Sequence, residues 1–150
     1  MSLIVKVVQS EPRPTAAIAA TTTWSEFPSV WGQLLGEVWT FLRAHDHLLI
    51  GDGSSVILYR DGTPSVEVGV VVAGPFEPSG RIVPSKLPGG LAAHAVHRGP
   101  YASLGSTHDA VVAWCTSNDR AKTGQRWEIY GDHHDDPSQL TTDVYWELAD

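Results

Sequence analysis

The sequence predicts an α+β fold: two tandem β-β-α-β-β units whose strands join in one antiparallel sheet, with both helices on one side. Three observations predict it. The hydrophobic pattern alternates between short β-branched runs and stretches of helical period. The two halves match residue by residue at a near-constant offset. A stretch crowded with Pro75, Pro78, Gly80, Pro84, Pro88, Gly89 and Gly90 falls between them. The chain of 150 residues, 42% apolar and 18% charged, suits a single domain with its own core, with one repeat over about 1–74 and the other over about 81–150.

Residues 3–9 are β-branched and read as a strand, Glu11-Pro12-Arg13-Pro14 as a break, and 15–23 as a second strand. Over 25–45, Val30, Trp31, Leu34, Leu35, Val38, Trp39 and Leu42 recur at spacings of three and four, which predicts a helix capped by Ser25, with Pro28 in its first turn. Gly51-Asp52-Gly53 is a turn, 55–60 a strand, Asp61-Gly62 a hairpin turn and 65–73 a strand. After a linker at 74–80, a strand at 81–87 contains Pro84 and so belongs at an edge. Residues 91–98 follow as a strand. A helix over about 102–118 carries Leu104, His108, Val111, Val112 and Cys115 on one stripe, with a capping box from Ser106 to Asp109. Residues 125–131 and 141–148 are the last strands.

The repeat has a register. Trp24 and Tyr101, Trp31 and His108, Leu35 and Val112, and Val38 and Cys115 all stand 77 positions apart. After the helix, 56–61 lies over 127–132 at an offset of 71, so Tyr59 is the counterpart of Tyr130.

Charge and composition exclude several functions. All ten Lys and Arg residues lie at or before Arg126, matched there by ten acids; the 24 residues that follow hold seven acids and no base. An acidic chain without a basic stripe does not suit direct nucleic-acid binding, and an acidic face towards a ligand favours a cation. No apolar run reaches the roughly 20 residues of a membrane span, and the N-terminus lacks the pattern of a signal peptide. Cys115 is alone, which excludes a disulfide framework, predicts a cytoplasmic protein, and on an apolar stripe reads as a packed thiol. The seven histidines do not predict a metal: Asp132-His133-His134-Asp135-Asp136 lies in a turn without spacing to fix geometry, and His94 and His97 fall on opposite strand faces. Neither Gly51-Asp52-Gly53-Ser54-Ser55 nor Pro88-Gly89-Gly90 has phosphate-loop spacing, and no cofactor is expected.

His97-Arg98-Gly99-Pro100-Tyr101 before a helix, Trp114 within it, and then Trp127-Glu128-Ile129-Tyr130 before a closing strand resemble the signature of GyrI-like domains, the effector-binding domains of AraC-type and MerR-type regulators. The resemblance covers 91–148 well and the first half more loosely. It implies a ligand cleft at the junction of the two units, aromatic cleft walls, and a buried acid selecting cationic, apolar, often planar molecules; Glu128 matches that acid. Because the first strand starts near residue 3, a stand-alone member is expected, without a DNA-binding domain ahead of it.

Parity adds to this. Glu128 and Tyr130 share one strand face, Trp127 and Ile129 the other; if Trp127 and Ile129 pack under the helices, Glu128 and Tyr130 face the cleft. A buried carboxylate must be hydrogen-bonded, paired or protonated, and the alternative is an exposed Glu on a sheet surface. The ligand-binding residues expected are therefore Glu128, Tyr130, Tyr101, Tyr59, Trp39 and Tyr145. Trp39 lies at the edge of its helix stripe, and Tyr145 is preferred over Trp146 by parity with Asp143 and Glu147. Three functions follow. The first is binding of small hydrophobic, cationic, aromatic compounds for sequestration or sensing. The second is hydrolysis of strained, cyclopropanoid-type electrophiles, with Glu128 as base and Tyr130 or Tyr101 as donor, which the resemblance implies for some stand-alone members. The third is modulation of another protein through the acidic segment. The edge strand at 81–87 leaves a homodimer or a separate protein partner open.

Overall fold

Each half of the chain folds in the order β-β-α-β-β. The computed structural model describes residues 3–149 apart from 24, 51–52, 61–64 and 132–134. The first half comprises β1 (Lys6–Ser10), β2 (Arg13–Thr21), α1 (Phe27–Arg43), β3 (Ser55–Tyr59) and β4 (Ser65–Val71). The second comprises β5 (Val83–Leu87), β6 (Gly90–Arg98), α2 (Leu104–Ser117), β7 (Lys122–Tyr130) and β8 (Thr141–Leu148). All eight strands form one antiparallel sheet in the order β1-β6-β8-β7-β3-β4-β2-β5. Exchanging each strand with its counterpart in the other half returns the same order, so the repeat is a pseudo-twofold with β3 and β7 paired on its axis. The halves also interlock: β1 pairs with β6, and β5 with β2.

In-register neighbours across antiparallel strands point to the same face. Ile57, Glu128 and Val144 form one such row, and Leu58, Trp127 and Tyr145 the next, facing the other way. On the Ile57 face, Leu34, Val38 and Leu42 of α1 bury against Ile18, Val66, Val68 and Val70. Leu104, Val111 and Cys115 of α2 bury against Ala93, Ala95 and Val144 on that face. Both helices therefore cover one face and leave the β3–β7 axis between them. Val38 and Cys115, repeat counterparts, are both fully buried.

The opposite face has its own cluster, with Val56, Leu58, Ala92, Trp127 and Ile129 at its centre. Val8 of β1 and Leu87 of β5, from the two ends of the strand order, join this cluster, so the sheet curls around it. The two β-β connections meet where the ends approach: the Ser10 hydroxyl donates to the Pro88 carbonyl at 3.3 Å, and a Cβ on Gly89 would stand 2.6 Å from Pro12.

Several local expectations change. Pro84 does sit on an edge strand, but Arg13 and Pro14, expected in a break, belong to β2, where Pro14 pairs with Lys86. Ser25 does not cap α1; the Thr23 carbonyl accepts from the Glu26 and Phe27 amides, and the Thr23 hydroxyl also accepts from Glu26. The capping box from Ser106 to Asp109 is absent, because a 3-10 turn at Tyr101–Ser103 leads into the helix and puts the cap at Ser103. Trp24, the hairpin turn at Asp61-Gly62, Gly51-Asp52 and the run Asp132-His133-His134 lie outside the described residues.

Candidate functional site

The centre of the site is Glu128, 3% exposed on the pseudo-twofold axis. Its cross-strand neighbour and repeat counterpart is Ile57, so the carboxylate stands where the first repeat has an apolar side chain. Burying it without partners would cost several kcal/mol. Three donors meet it instead. Tyr59 donates to Oε1 at 3.2 Å and Tyr130 donates to the same oxygen at 2.5 Å. His108 of α2 meets Oε2 through Nε2 at 2.6 Å. Two repeat-related tyrosines thus converge on one oxygen, and α2 supplies the third partner.

Donor and acceptor inventory fixes the protons. Trp146 of β8 meets His108 Nδ1 through its indole Nε1 at 3.0 Å. An indole N–H only donates, so Nδ1 accepts and the ring proton sits on Nε2, facing Glu128. A protonated carboxyl donating to Nε2 would force a proton onto Nδ1 against the indole N–H. With Nε2 carrying the proton, Oε2 accepts from His108, and an ionised Glu128 here receives three hydrogen bonds from neutral groups. Burial, and next the charge of Glu128, push the Tyr59 and Tyr130 hydroxyls above their ordinary values, which keeps both as donors.

Beside this cluster, between α2 and the sheet, lies a cavity of about 420 Å³ lined by Tyr59, Gly105, His108, Asp109, Val112, Arg126 and Trp146. This is within the size range of small-molecule sites. The Arg126 guanidinium lies over the Tyr59 ring at 5.1 Å and over the Trp146 ring at 5.0 Å. Glu128 does not itself line this cavity but stands behind Tyr59 and His108, which do; larger hollows touch neither of these two side chains. One of about 690 Å³ is walled largely by Pro12, Pro14, Pro75, Pro84 and Pro88, and one of about 670 Å³ lies beside Lys6 and His97.

The expected residues divide. Glu128, Tyr130 and Tyr59 come together, and Tyr101, 41% exposed, packs edge-on against Tyr130 with ring centres 5.4 Å apart. Tyr145 does not join them. It lies on the opposite face, stacked on Trp127 at 5.2 Å and beside His94 at 4.6 Å, whereas Trp146 shares the face of Glu128. Trp39 packs with the α1 core, its ring at Gly53 beside Val70. The conditional about Trp127 and Ile129 is also corrected: they lie away from the helices, and Glu128 and Tyr130 occupy the gap between the helices on the helix-bearing face.

His108, Trp146 and Arg126 were not expected. His108 had a signal, being the one histidine on a stripe of α2 otherwise made of Leu, Val and Cys, and the counterpart of Trp31. Trp146 was undecidable because it alternates with Tyr145 and both are aromatic. Arg126 shares the strand face of Glu128 and Tyr130 by alternation and stands opposite Tyr59 and Trp146, so parity was its signal; the carbonyl of Gly124, at φ +107 in the register shift between Lys122 and Arg126, accepts from Arg126 Nη1 at 3.2 Å.

The motif around Tyr101 has a structural basis. His97, 5% exposed, bonds the Thr107 hydroxyl through Nδ1 at 2.6 Å and the Pro100 carbonyl through Nε2 at 3.0 Å, tying β6 to α2. Gly99 takes φ +116, a conformation that disfavours a side chain, at the corner between strand and helix. Cys115 is fully buried, and burial pushes its thiol up, as for a packed residue. Among the described residues no group of three or more His, Cys, Asp or Glu could hold a metal ion, and no helix is long and apolar enough to cross a membrane.

Comparison with solved structures shows the same fold. The C-terminal domain of EcmrR superposes with TM-score 0.83 at 18% identity, covering 99% of both chains. SAV2435, solved bound to tetraphenylphosphonium, gives 0.61 at 10% identity, with 99% of this chain and 94% of that one covered. A protein described as a hydrolase from Listeria innocua gives 0.62 at 8% identity, with 97% and 91% covered. No curated protein matches the sequence. A family model, the GyrI-like small molecule binding domain, matches residues 5–149. The chain belongs to the GyrI-like small-molecule-binding domains.

Proposed function

We propose that this domain binds lipophilic aromatic cations in the cavity between α2 and the sheet, with Glu128 as the charge that selects them. The observation that carries this reading is the set of contacts on the buried Glu128: two tyrosine hydroxyls and the His108 ring meet its carboxyl oxygens, neutral donors that hold an ionised carboxylate in place without cancelling its charge. The adjoining cavity is walled by Tyr59, His108 and Trp146, whose ring faces add cation–π attraction of about 0.5–2 kcal/mol. The neighbour bound to tetraphenylphosphonium, a lipophilic aromatic cation, supports the choice of ligand class.

Hydrolysis is less well supported. The Tyr130 hydroxyl points to Glu128, and both tyrosines and His108 already occupy three of the roughly four acceptor positions of the carboxylate. A general base needs a free lone pair towards water or substrate in the cavity.

Calorimetric titration with tetraphenylphosphonium tests the reading. Wild type is expected to bind saturably, and Glu128→Gln to bind about tenfold or more weakly. Equal affinities in the two proteins would overturn it.

A further inference from the structure

We propose that Arg126 is a resident cation of the binding cavity, an internal competitor that an incoming cationic ligand must displace. This rests on the reading of the cavity as a cation site. The guanidinium lies 5.1 Å over the ring of Tyr59, a hydrogen-bond partner of Glu128, and 5.0 Å over the ring of Trp146, which bonds His108. It therefore fills the position that those faces and the buried carboxylate make favourable for a cation. It does so by construction. A free arginine side chain would extend its head into water. Here strand alternation puts Arg126 on the face of Glu128, between Tyr59 and Trp146, the carbonyl of Gly124 in the adjoining β7 irregularity accepts from Nη1 at 3.2 Å, and the residue is half-buried over the cavity.

Two consequences follow. With Arg126 in place, a second cation meets like-charge repulsion and two occupied aromatic faces. Binding then requires the guanidinium to swing away, so only cations with enough apolar surface to compensate its displacement gain entry. Arg126 thus sets the threshold between lipophilic cations and small hydrophilic ones such as free guanidinium.

Titration of wild type, Arg126→Met and Arg126→Lys with tetraphenylphosphonium and with guanidinium ion tests this. Arg126→Met keeps an unbranched apolar stem and removes the charge; Arg126→Gln serves in its place if the Met variant fails to fold. The expected result is about tenfold tighter binding of tetraphenylphosphonium by Arg126→Met, newly measurable binding of guanidinium, and near wild-type behaviour of Arg126→Lys. Equal or weaker binding by Arg126→Met, with saturable binding in wild type, would overturn the competitor role and leave the cation site standing. Tightening in Arg126→Lys equal to that in Arg126→Met would overturn it too, because charge would not be the cause. Absence of binding in both wild type and Arg126→Met would overturn the cation site and this proposal with it.

Discussion

Trp146 donates its indole N–H to Nδ1 of His108 at 3.0 Å, and this contact fixes the His108 tautomer that faces Glu128. With Nδ1 accepting, Nε2 carries the proton that Glu128 receives. The ¹⁵N chemical shifts of His108 should therefore show a protonated Nε2 and an unprotonated Nδ1. Trp146→Phe removes the donor, and the shifts should move towards a mixture of tautomers or the imidazolium. Wild-type shifts showing protonated Nδ1 would contradict the assignment.

Tyr59 and Tyr130 serve the same carboxylate oxygen, so their contributions are coupled. Each Tyr→Phe substitution leaves Glu128 with one donor fewer and should cost about 1–2 kcal/mol in urea unfolding. The double variant should depart from the sum of the singles by about 0.5 kcal/mol or more, because the two hydroxyls share one acceptor. Additivity would mean that the hydroxyls do not converge on one atom.

The same tyrosines set the alkaline limit. Both hydroxyls are raised above the ordinary value of 10.0 in the folded protein, first by burial and then by Glu128. Above about pH 10 the unfolded chain loses protons that the folded chain keeps, so the unfolded state binds fewer and stability falls as pH rises. The stabilisation is fully present below pH 10. Unfolding free energy measured from pH 9 to 11 should decline, and the decline should be shallower in the Tyr59→Phe and Tyr130→Phe double variant. An unchanged slope would contradict the burial of these hydroxyls.

Gly105 separates ligand access from folding. It lies in the first turn of α2 and lines the cavity, and a Cβ there would meet nothing within 4 Å. Gly105→Ala should stabilise the domain by roughly 0.5–1 kcal/mol, because alanine loses less backbone freedom in a helix. Gly105→Phe should fill the cavity and abolish tetraphenylphosphonium binding while leaving thermal unfolding near that of Gly105→Ala. Retained binding would place the ligand elsewhere.

Much of the fold was legible because each element carries its own period. The alternation in 65–71 and 141–148 and the helical spacing from Leu34 to Leu42 survive into β4, β8 and α1. The repeat offset of 71 also pairs Tyr59 with Tyr130, and both meet Glu128. What was not legible depends on three-dimensional placement. Parity separates Tyr145 from Trp146 but does not say which face the helices cover; that is decided by how Val144 packs under α2. Arg126 falls on the Glu128 face by the same parity, but that its guanidinium lies over the Tyr59 and Trp146 rings depends on how β7 pairs with β3 and β8, invisible in a single strand's pattern. The entry to α1, where a turn at Thr23 accepts from the Glu26 and Phe27 amides and Glu26 rather than Ser25 stands at the N-cap, follows from how the chain approaches the helix, which residue type alone does not fix.

The most direct test of the central claim compares a charged ligand with a neutral one of like shape. Affinities of tetraphenylphosphonium and triphenylphosphine oxide should be measured for wild type and Glu128→Gln by quenching of intrinsic tryptophan fluorescence. The account predicts that wild type prefers the cation by about tenfold or more and that Glu128→Gln binds the two ligands nearly equally. A preference for the cation that survives in Glu128→Gln, or none in wild type, would contradict it.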